Sequence, residues 1–193
     1  MVSGLLCLCA GNFLRIYFYK IEKRYLSNDN AQHEQCDICG RMLSLYGTDQ
    51  IKSGVRGDQI KMKVLIVYCH PSKNSFTYEV KETFIKGLES AGHSYEISDL
   101  YADGFNPVMS EKEYIREGFY DLDSPVAEDV LLEQKKINEA DAVAFIYPDF
   151  WTSSPAMLEG WFQRVWTYGF AYGDDPSMKC LNKVLFLITM GGS

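Results

Sequence analysis

One unbroken run, Met62-Lys63-Val64-Leu65-Ile66-Val67-Tyr68, restricts the fold of this chain more than any other feature. A strand with one wet face alternates apolar and polar residues. A continuous run of β-branched and apolar side chains instead suits a strand buried on both faces of a parallel sheet. The loop Cys69 to Thr77 follows, and then a helical stripe from Tyr78 to Ala91, with Val80, Phe84, Ile85 and Leu88 on one side and Gly92 closing it. Ser94 to Leu100 reads as a second, short strand, and the turn-rich stretch from Tyr101 to Pro107 leads to a capping box, Ser110-Glu111-Lys112-Glu113. Ser124-Pro125 puts proline at the first position of a helix reaching about Glu139, with Val126, Val130, Leu131 and Ile137 as its apolar contacts. Asp141 to Tyr147 is a third strand, stopped by Pro148, and Ser154-Pro155 repeats the same device for a helix from Ala156 to Trp166. Lys183 to Thr189 is a fourth buried strand. With right-handed crossovers, this β-α-β-α-β-α-β order makes an α/β fold, a doubly wound parallel sheet.

The residues before Met62 are of another kind. Residues 1–61 hold 8 basic and 6 acidic side chains, whereas residues 62–193 hold 11 basic and 20 acidic, within a chain whose formal charge is −7. The overall acidity argues against a nucleic-acid partner, which would need a basic patch that the sequence does not show. The apolar opening from Val2 to Ala10 lacks the preceding charge of a signal peptide, and Asn12 and Arg15 interrupt it well short of the ~20 apolar residues of a membrane span. No stable membrane insertion is expected. Ser27 to Lys61 is polar and aperiodic and is expected to hold little packed structure. Within it, Cys36-Asp37-Ile38-Cys39, with His33 nearby, has the spacing of one half of a zinc site; without a second paired half it reads as two free thiols and not as a metal centre. Six cysteines, four of them within the first 39 residues, make no disulfide framework, so a reduced, cytoplasmic setting is expected. The chain thus divides into residues 1–61, an extension of unknown role, and a domain over residues 62–193. The abrupt change at Met62 points to Met62 as the natural translation start, with the preceding segment as upstream read-through.

In a doubly wound sheet, ligands collect beyond the carboxyl ends of the strands, where the winding reverses. Three segments arrive there. His70 to Thr77 brings hydroxyl and amide side chains to the start of a helix, whose free N–H groups and dipole favour an anion such as a phosphate, although N-capping by Asn74 or Ser75 accounts for part of that composition. Pro148-Asp149-Phe150-Trp151-Thr152 puts large aromatic rings on a loop. Thr189-Met190-Gly191-Gly192 supplies glycines that let a flat ring approach the backbone. Together the three describe a flavin site.

The segments HPSKNSF, YPDFWTSSPAMLEGWFQRVWTYGFAYG and TMGGS resemble the flavodoxin-like NAD(P)H:quinone oxidoreductase family, which includes bacterial NAD(P)H dehydrogenases (quinone) and modulators of drug activity. The likeness spans Met62 to Ser193. It implies that His70, Ser75, Phe76 and Thr77 hold the phosphate end of FAD, with FMN as the alternative. Thr77 stands where the family often has Asn. By the same resemblance Pro148, Asp149, Phe150 and Trp151 line the ring, and Thr189, Met190, Gly191 and Gly192 complete its pyrimidine side. NAD(P)H would give hydride to the flavin and leave, and a quinone or similar electrophile would collect it from the same slot, walled by Trp151 and by Tyr172 across a homodimer interface. No side-chain nucleophile is implied, and no catalytic residue is assigned. The alternatives are a flavodoxin-type electron carrier, a flavin-binding regulatory module and an inactive fragment.

The resemblance also carries departures. Family members continue beyond Ser193 into a fifth strand and a last helix, so the chain reads as C-terminally truncated. Four of five strands are expected, leaving the fourth with an unpaired apolar edge. The charges from Glu111 to Glu117 are expected to form a solvated face, and Cys69 and Cys180 to serve packing.

Overall fold

The computed structural model describes residues 3–9, 12–19 and 61–191. The zinc half-site at His33, Cys36 and Cys39, the expectation for the stretch after Ser27, and Gly192 lie outside the described residues. The described elements are β1 (Ser3–Cys9), β2 (Asn12–Tyr19), β3 (Lys63–Tyr68), α1 (Phe76–Ser90), β4 (Ser94–Asp99), α2 (Glu111–Gly118), α3 (Glu128–Glu139), β5 (Ala142–Pro148), α4 (Ala156–Val165) and β6 (Lys183–Gly191).

The strands form one sheet in the order β1-β2-β6-β5-β3-β4. β4, β3, β5 and β6 run parallel, as the unbroken apolar strands predict. β3 is buried on both faces. Val64, Ile66 and Tyr68 face α1, where they meet Val80, Ile85 and Leu88. Leu65, Val67 and Cys69 face α3 and α4, where they meet Val130, Ile137, Leu158 and Trp161. Each buried aliphatic side chain of this kind contributes about 1.5–3 kcal/mol relative to exposure, so the double burial of β3 is the centre of the fold's stability. Phe145 of β5 adds a ring stacked on Phe186 at 4.9 Å and set edge-on to Trp161 at 5.7 Å.

The expected bare edge at the fourth parallel strand is not what the structure shows. β2 pairs antiparallel with β6 over its whole length, from Asn12 opposite Gly191 to Tyr19 opposite Val184, and β1 pairs antiparallel with β2. The run Phe13-Leu14-Arg15-Ile16-Tyr17-Phe18-Tyr19 is rich in aromatic and β-branched residues, which suits a strand once a partner edge is present.

Two helices depart from expectation. α3 begins at Glu128 and not at Pro125, because Ser124 is held in the preceding loop: its hydroxyl donates to Asp121 Oδ2 at 2.6 Å while Asp121 Oδ1 accepts from the Asp123 and Ser124 amides. Leu131 of α3 is half exposed, and the inward positions belong instead to Glu133 and Gln134, both buried with polar partners. Glu133 accepts from Ser98 Oγ at 3.0 Å, from Lys136 Nζ at 2.6 Å and from Trp161 Nε1 at 2.9 Å, so its burial leaves no unpaired charge.

α2 is opened by the expected capping box, with Glu113 N bonded to Ser110 Oγ and Ser110 N to Glu113 Oε2. Only part of its charge is the expected solvated face: Glu111 and Lys112 are exposed, whereas Glu113, Arg116 and Glu117 turn to partners. Glu113 Oε1 accepts from Arg164 Nε at 2.8 Å, and Arg164 also grips both oxygens of Asp129. The Arg164 bonds hold the Asp129 carboxyl below its ordinary pKa. Arg164 Nη1 donates to the Asn106 carbonyl at 2.5 Å, which pins the loop before Pro107. That pinning matters for Gly160, whose missing Cβ lets α4 lie directly against the carbonyl oxygen and Cβ of Pro107.

Gly160→Ala is therefore expected to cost about 1–3 kcal/mol in urea unfolding, since neither the helix nor the clamped loop can yield. Gly87→Ala, at an exposed helix position with open space around it, is expected to stabilise by about 0.5–1 kcal/mol. Equal effects at the two sites would show that the Pro107 contact is not tight.

Candidate functional site

The winding of the parallel sheet reverses between β3 and β5, so the turns that leave these two strands diverge and open a crevice at their carboxyl ends. Backbone bonds lock that rim: Cys69 N to Ile146 O at 3.0 Å joins β3 to β5, and Asp149 N to Thr189 O at 2.8 Å joins β5 to β6. The three segments singled out in the sequence leave from these locked ends.

The first, after β3, is a compact loop whose polar side chains are largely occupied within it. His70 Nδ1 lies 2.9 Å from the Ser72 carbonyl and 3.0 Å from the Ser72 amide. Nδ1 is thus spent on the loop, and Nε2 is the ring atom left for a ligand. Ser75 is the N-cap of α1: its hydroxyl donates to Ser72 O at 3.0 Å and accepts from Tyr78 N at 3.1 Å. What the loop leaves uncommitted is backbone, because the amides of Phe76 and Thr77 open the helix and have no intrahelical acceptor.

Thr77 departs from expectation. Its hydroxyl does not face outward with the loop; the residue is 2% exposed, and Oγ1 lies 2.7 Å from Thr189 Oγ1. The reason is helical phase: Thr77 shares the inward stripe of Val80, Lys81, Ile85 and Leu88. Thr77 and Thr189, expected as two separate ligand contacts, use their hydroxyls to tie the helix start to the end of β6.

The second segment is strained. Phe150 and Ser153 exchange backbone bonds at 2.9 and 3.2 Å around Trp151 and Thr152, whose φ values are +52° and +64°. Two consecutive left-handed residues make a type I′-like turn, normally built from Asn and Gly, and a β-branched threonine there is an outlier. Strain of this kind persists only where the surroundings impose it, and it collects at functional sites. Here it holds Trp151 99% exposed, with Phe150 beside it also exposed. Asp149 Oδ1, just before the turn, is buried with no hydrogen-bond partner. Pro148, the last residue of β5, pairs with Thr189. Met190 and Gly191 end β6 as the third segment.

Tyr172 is not part of this rim cluster. It sits on the turn after α4, its hydroxyl donating to Glu117 Oε2 at 3.0 Å and its ring edge-on to Tyr168 at 5.6 Å. Glu117 and Arg116 join this arrangement without a clear mark in the sequence. The adjacency of Arg and Glu late in α2 was a weak signal, because a short amphipathic helix tolerates such a pair on its wet side. Cys69 is buried and burial pushes its thiol up to about 12, so it has no thiolate chemistry near neutral pH.

The arrangement fits a flavin on its own observations. A buried acceptor without a donor, Asp149 Oδ1, lies beside an exposed aromatic face, and the amides opening α1 suit a phosphate. The Thr77–Thr189 tie keeps these parts in register. Thr77→Val is expected to cost about 1–3 kcal/mol by leaving the Thr189 hydroxyl buried and unpaired, while Thr77→Val with Thr189→Val recovers most of that loss. Additive single costs in denaturant unfolding would show that the hydroxyls do not depend on each other.

Comparison with known proteins agrees with this geometry. A family model described as flavodoxin-like fold matches residues 62–193. The NAD(P)H dehydrogenase [quinone] 1 of Cavia porcellus is 38% identical over 148 residues, covering 68% of this chain and 54% of that protein. The Homo sapiens ribosyldihydronicotinamide dehydrogenase [quinone] is 37% identical over 148 residues, covering 68% and 64%. A solved NAD(P)H:quinone oxidoreductase from Methanothermobacter marburgensis is 50% identical with a TM-score of 0.59, over 60% of this chain and 58% of that one. The match covers between about half and two thirds of the length of each of these relatives. The parallel sheet, its switch-point crevice and the family match together establish that the chain belongs to the flavodoxin-like fold family.

Proposed function

We propose that the protein is a flavin-dependent NAD(P)H dehydrogenase (quinone), with FAD as its cofactor and FMN as the alternative. The observation that carries this is the pairing of a partnerless buried acceptor, Asp149 Oδ1, with an outward indole held on a strained turn at the sheet's switch point. The relatives named as quinone dehydrogenases support the substrate class.

A bound flavin supplies two-electron hydride transfer. The chain's part is to hold and orient. The first amides of α1 and His70 Nε2 hold the phosphate end. Pro148, Asp149 and Phe150 set the ring plane, with Asp149 Oδ1 accepting from a ring N–H. Met190 and Gly191 border the pyrimidine side. Trp151 presents an apolar wall against which nicotinamide and acceptor stack in turn, and such positioning replaces any need for a covalent nucleophile. Tyr172 reaches the acceptor slot of a second copy, so the active unit is a homodimer. Residues 62–193 form the flavin-binding domain, and the setting is cytoplasmic. Among the described residues no helix is long and apolar enough to cross a membrane.

Purified full chain is expected to be yellow, or to become so on incubation with FAD, and to consume NAD(P)H only when menadione is present. Trp151→Ala is expected to raise the menadione KM about 3- to 10-fold, the loss of one aromatic contact. Protein that stays colourless after incubation with excess FAD and FMN would overturn the assignment, and coloured protein without menadione reduction would make it a carrier or regulator.

A further inference from the structure

The turn after α4 carries a polar clamp that the flavin site does not use. Glu117, on α2, accepts three hydrogen bonds: from Arg116 Nη1 on Oε1 at 2.6 Å, and on Oε2 from the Tyr168 amide at 2.8 Å and the Tyr172 hydroxyl at 3.0 Å. The carboxylate cannot swing away. Arg116, itself buried, is fixed by the Ser124 carbonyl at 3.1 Å to Nε and by the Tyr168 carbonyl at 3.4 Å to Nη1 and Nη2. Tyr172 is gripped at its other end too, its carbonyl accepting from Gly169 N at 2.8 Å. Gly173, at φ +117°, passes beneath the Tyr168 ring where a Cβ would press on it.

A tyrosine that is 45% exposed gains little stability from turning its hydroxyl inward, because water would satisfy that group equally well. The inward turn does fix the ring. With the hydroxyl given to a carboxylate, the phenol offers an incoming molecule its face and edge, and the O–H is withheld as a proton donor.

We propose that Glu117 is the positioning residue for Tyr172, locking the phenol so that it meets the quinone acceptor as an oriented aromatic wall and not as an acid. The proposal rests on the reading of Tyr172 as an acceptor-slot residue. Preorganisation of this kind is felt in acceptor binding and leaves hydride transfer alone, since no proton passes through Tyr172.

The test uses the full chain with its flavin, in wild-type form and as Tyr172→Phe, Glu117→Ala, Glu117→Gln and the Tyr172→Phe, Glu117→Ala double variant. Tyr172→Phe and Glu117→Ala are each expected to raise the menadione KM about 3- to 10-fold, with the loss confined to KM. The double variant is expected to be no worse than the singles, and Glu117→Gln, whose amide oxygen still accepts, to recover most of the affinity. Because Glu117→Ala disturbs Arg116 and Tyr168 and can impair folding, a second measurement reads the contact directly. In 13C-tyrosine NMR the Tyr172 signal, assigned by its loss in Tyr172→Phe, is expected to titrate above the ordinary tyrosine range in the wild type, raised first by burial and then by its bond to the Glu117 carboxylate, and to move down in Glu117→Gln, where burial remains but the charge is gone.

A fall in kcat with unchanged KM in Tyr172→Phe would make the hydroxyl a proton donor and overturn the proposal. So would a Tyr172 titration identical in wild type and Glu117→Gln, or additive effects in the double variant. Wild-type protein that binds flavin without reducing menadione sinks the quinone-reductase reading itself, and is recognised before any variant is compared.

Discussion

Burial of β3 on both faces is the constraint from which the rest of the molecule follows. A strand with no wet side needs neighbours on both edges and helices on both faces, and the chain meets that demand by returning parallel to β3 twice, once to each side. Parallel return requires a crossover, and crossovers of opposite direction from one central strand create a switch point. The crevice is thus a by-product of covering one apolar strand. Its position at the carboxyl ends of β3 and β5 needs no separate cause.

What holds the crevice in shape is the way the rim is tied. The Asp149 N to Thr189 O bond, the Thr77–Thr189 hydroxyl pair and the Cys69 N to Ile146 O bond connect the starts of all three turns to one another. None of the turns can shift alone. This rigidity is what allows Trp151 and Thr152 to remain in left-handed backbone at a cost of order 1–3 kcal/mol each, since any relaxation would have to move the end of β6 as well. β2, paired with β6 from Val184 as far as Gly191, adds a further brace on that third segment.

The parallel strands, the capping box at Ser110 and the three rim segments were legible in the sequence, because each rests on local pattern: an unbroken apolar run, a hydroxyl three residues before a glutamate, or a turn that follows a strand. What was not legible depended on phase and on distant partners. Thr77 reads as a loop hydroxyl until the helix is known to begin at Phe76, which turns it inward. Ser124-Pro125 reads as a helix start until Asp121 is seen to hold Ser124 in the loop. Glu113 and Glu117 read as surface charges until Arg164, Tyr168 and Tyr172 arrive from about fifty residues away. The pairing of β2 with β6 joins residues whose separation along the chain no local pattern reports.

A common economy runs through the site. The side-chain groups expected to meet a ligand are largely committed inside the protein: His70 Nδ1 and the Ser75 hydroxyl to the loop, the Thr77 and Thr189 hydroxyls to each other, the Tyr172 hydroxyl to Glu117. What remains uncommitted is backbone N–H at the start of α1, one buried carboxylate oxygen without a partner, and exposed aromatic faces. Flexible hydroxyls lose freedom when they bind, whereas amides fixed in a helix and rings fixed on a turn have already lost it during folding. A surface made this way favours a flat, rigid molecule with an anionic tail over a small polar one, because planes and fixed donors reward shape. On the proposed flavin reading, specificity for a planar coenzyme comes from how completely the polar side chains are used elsewhere.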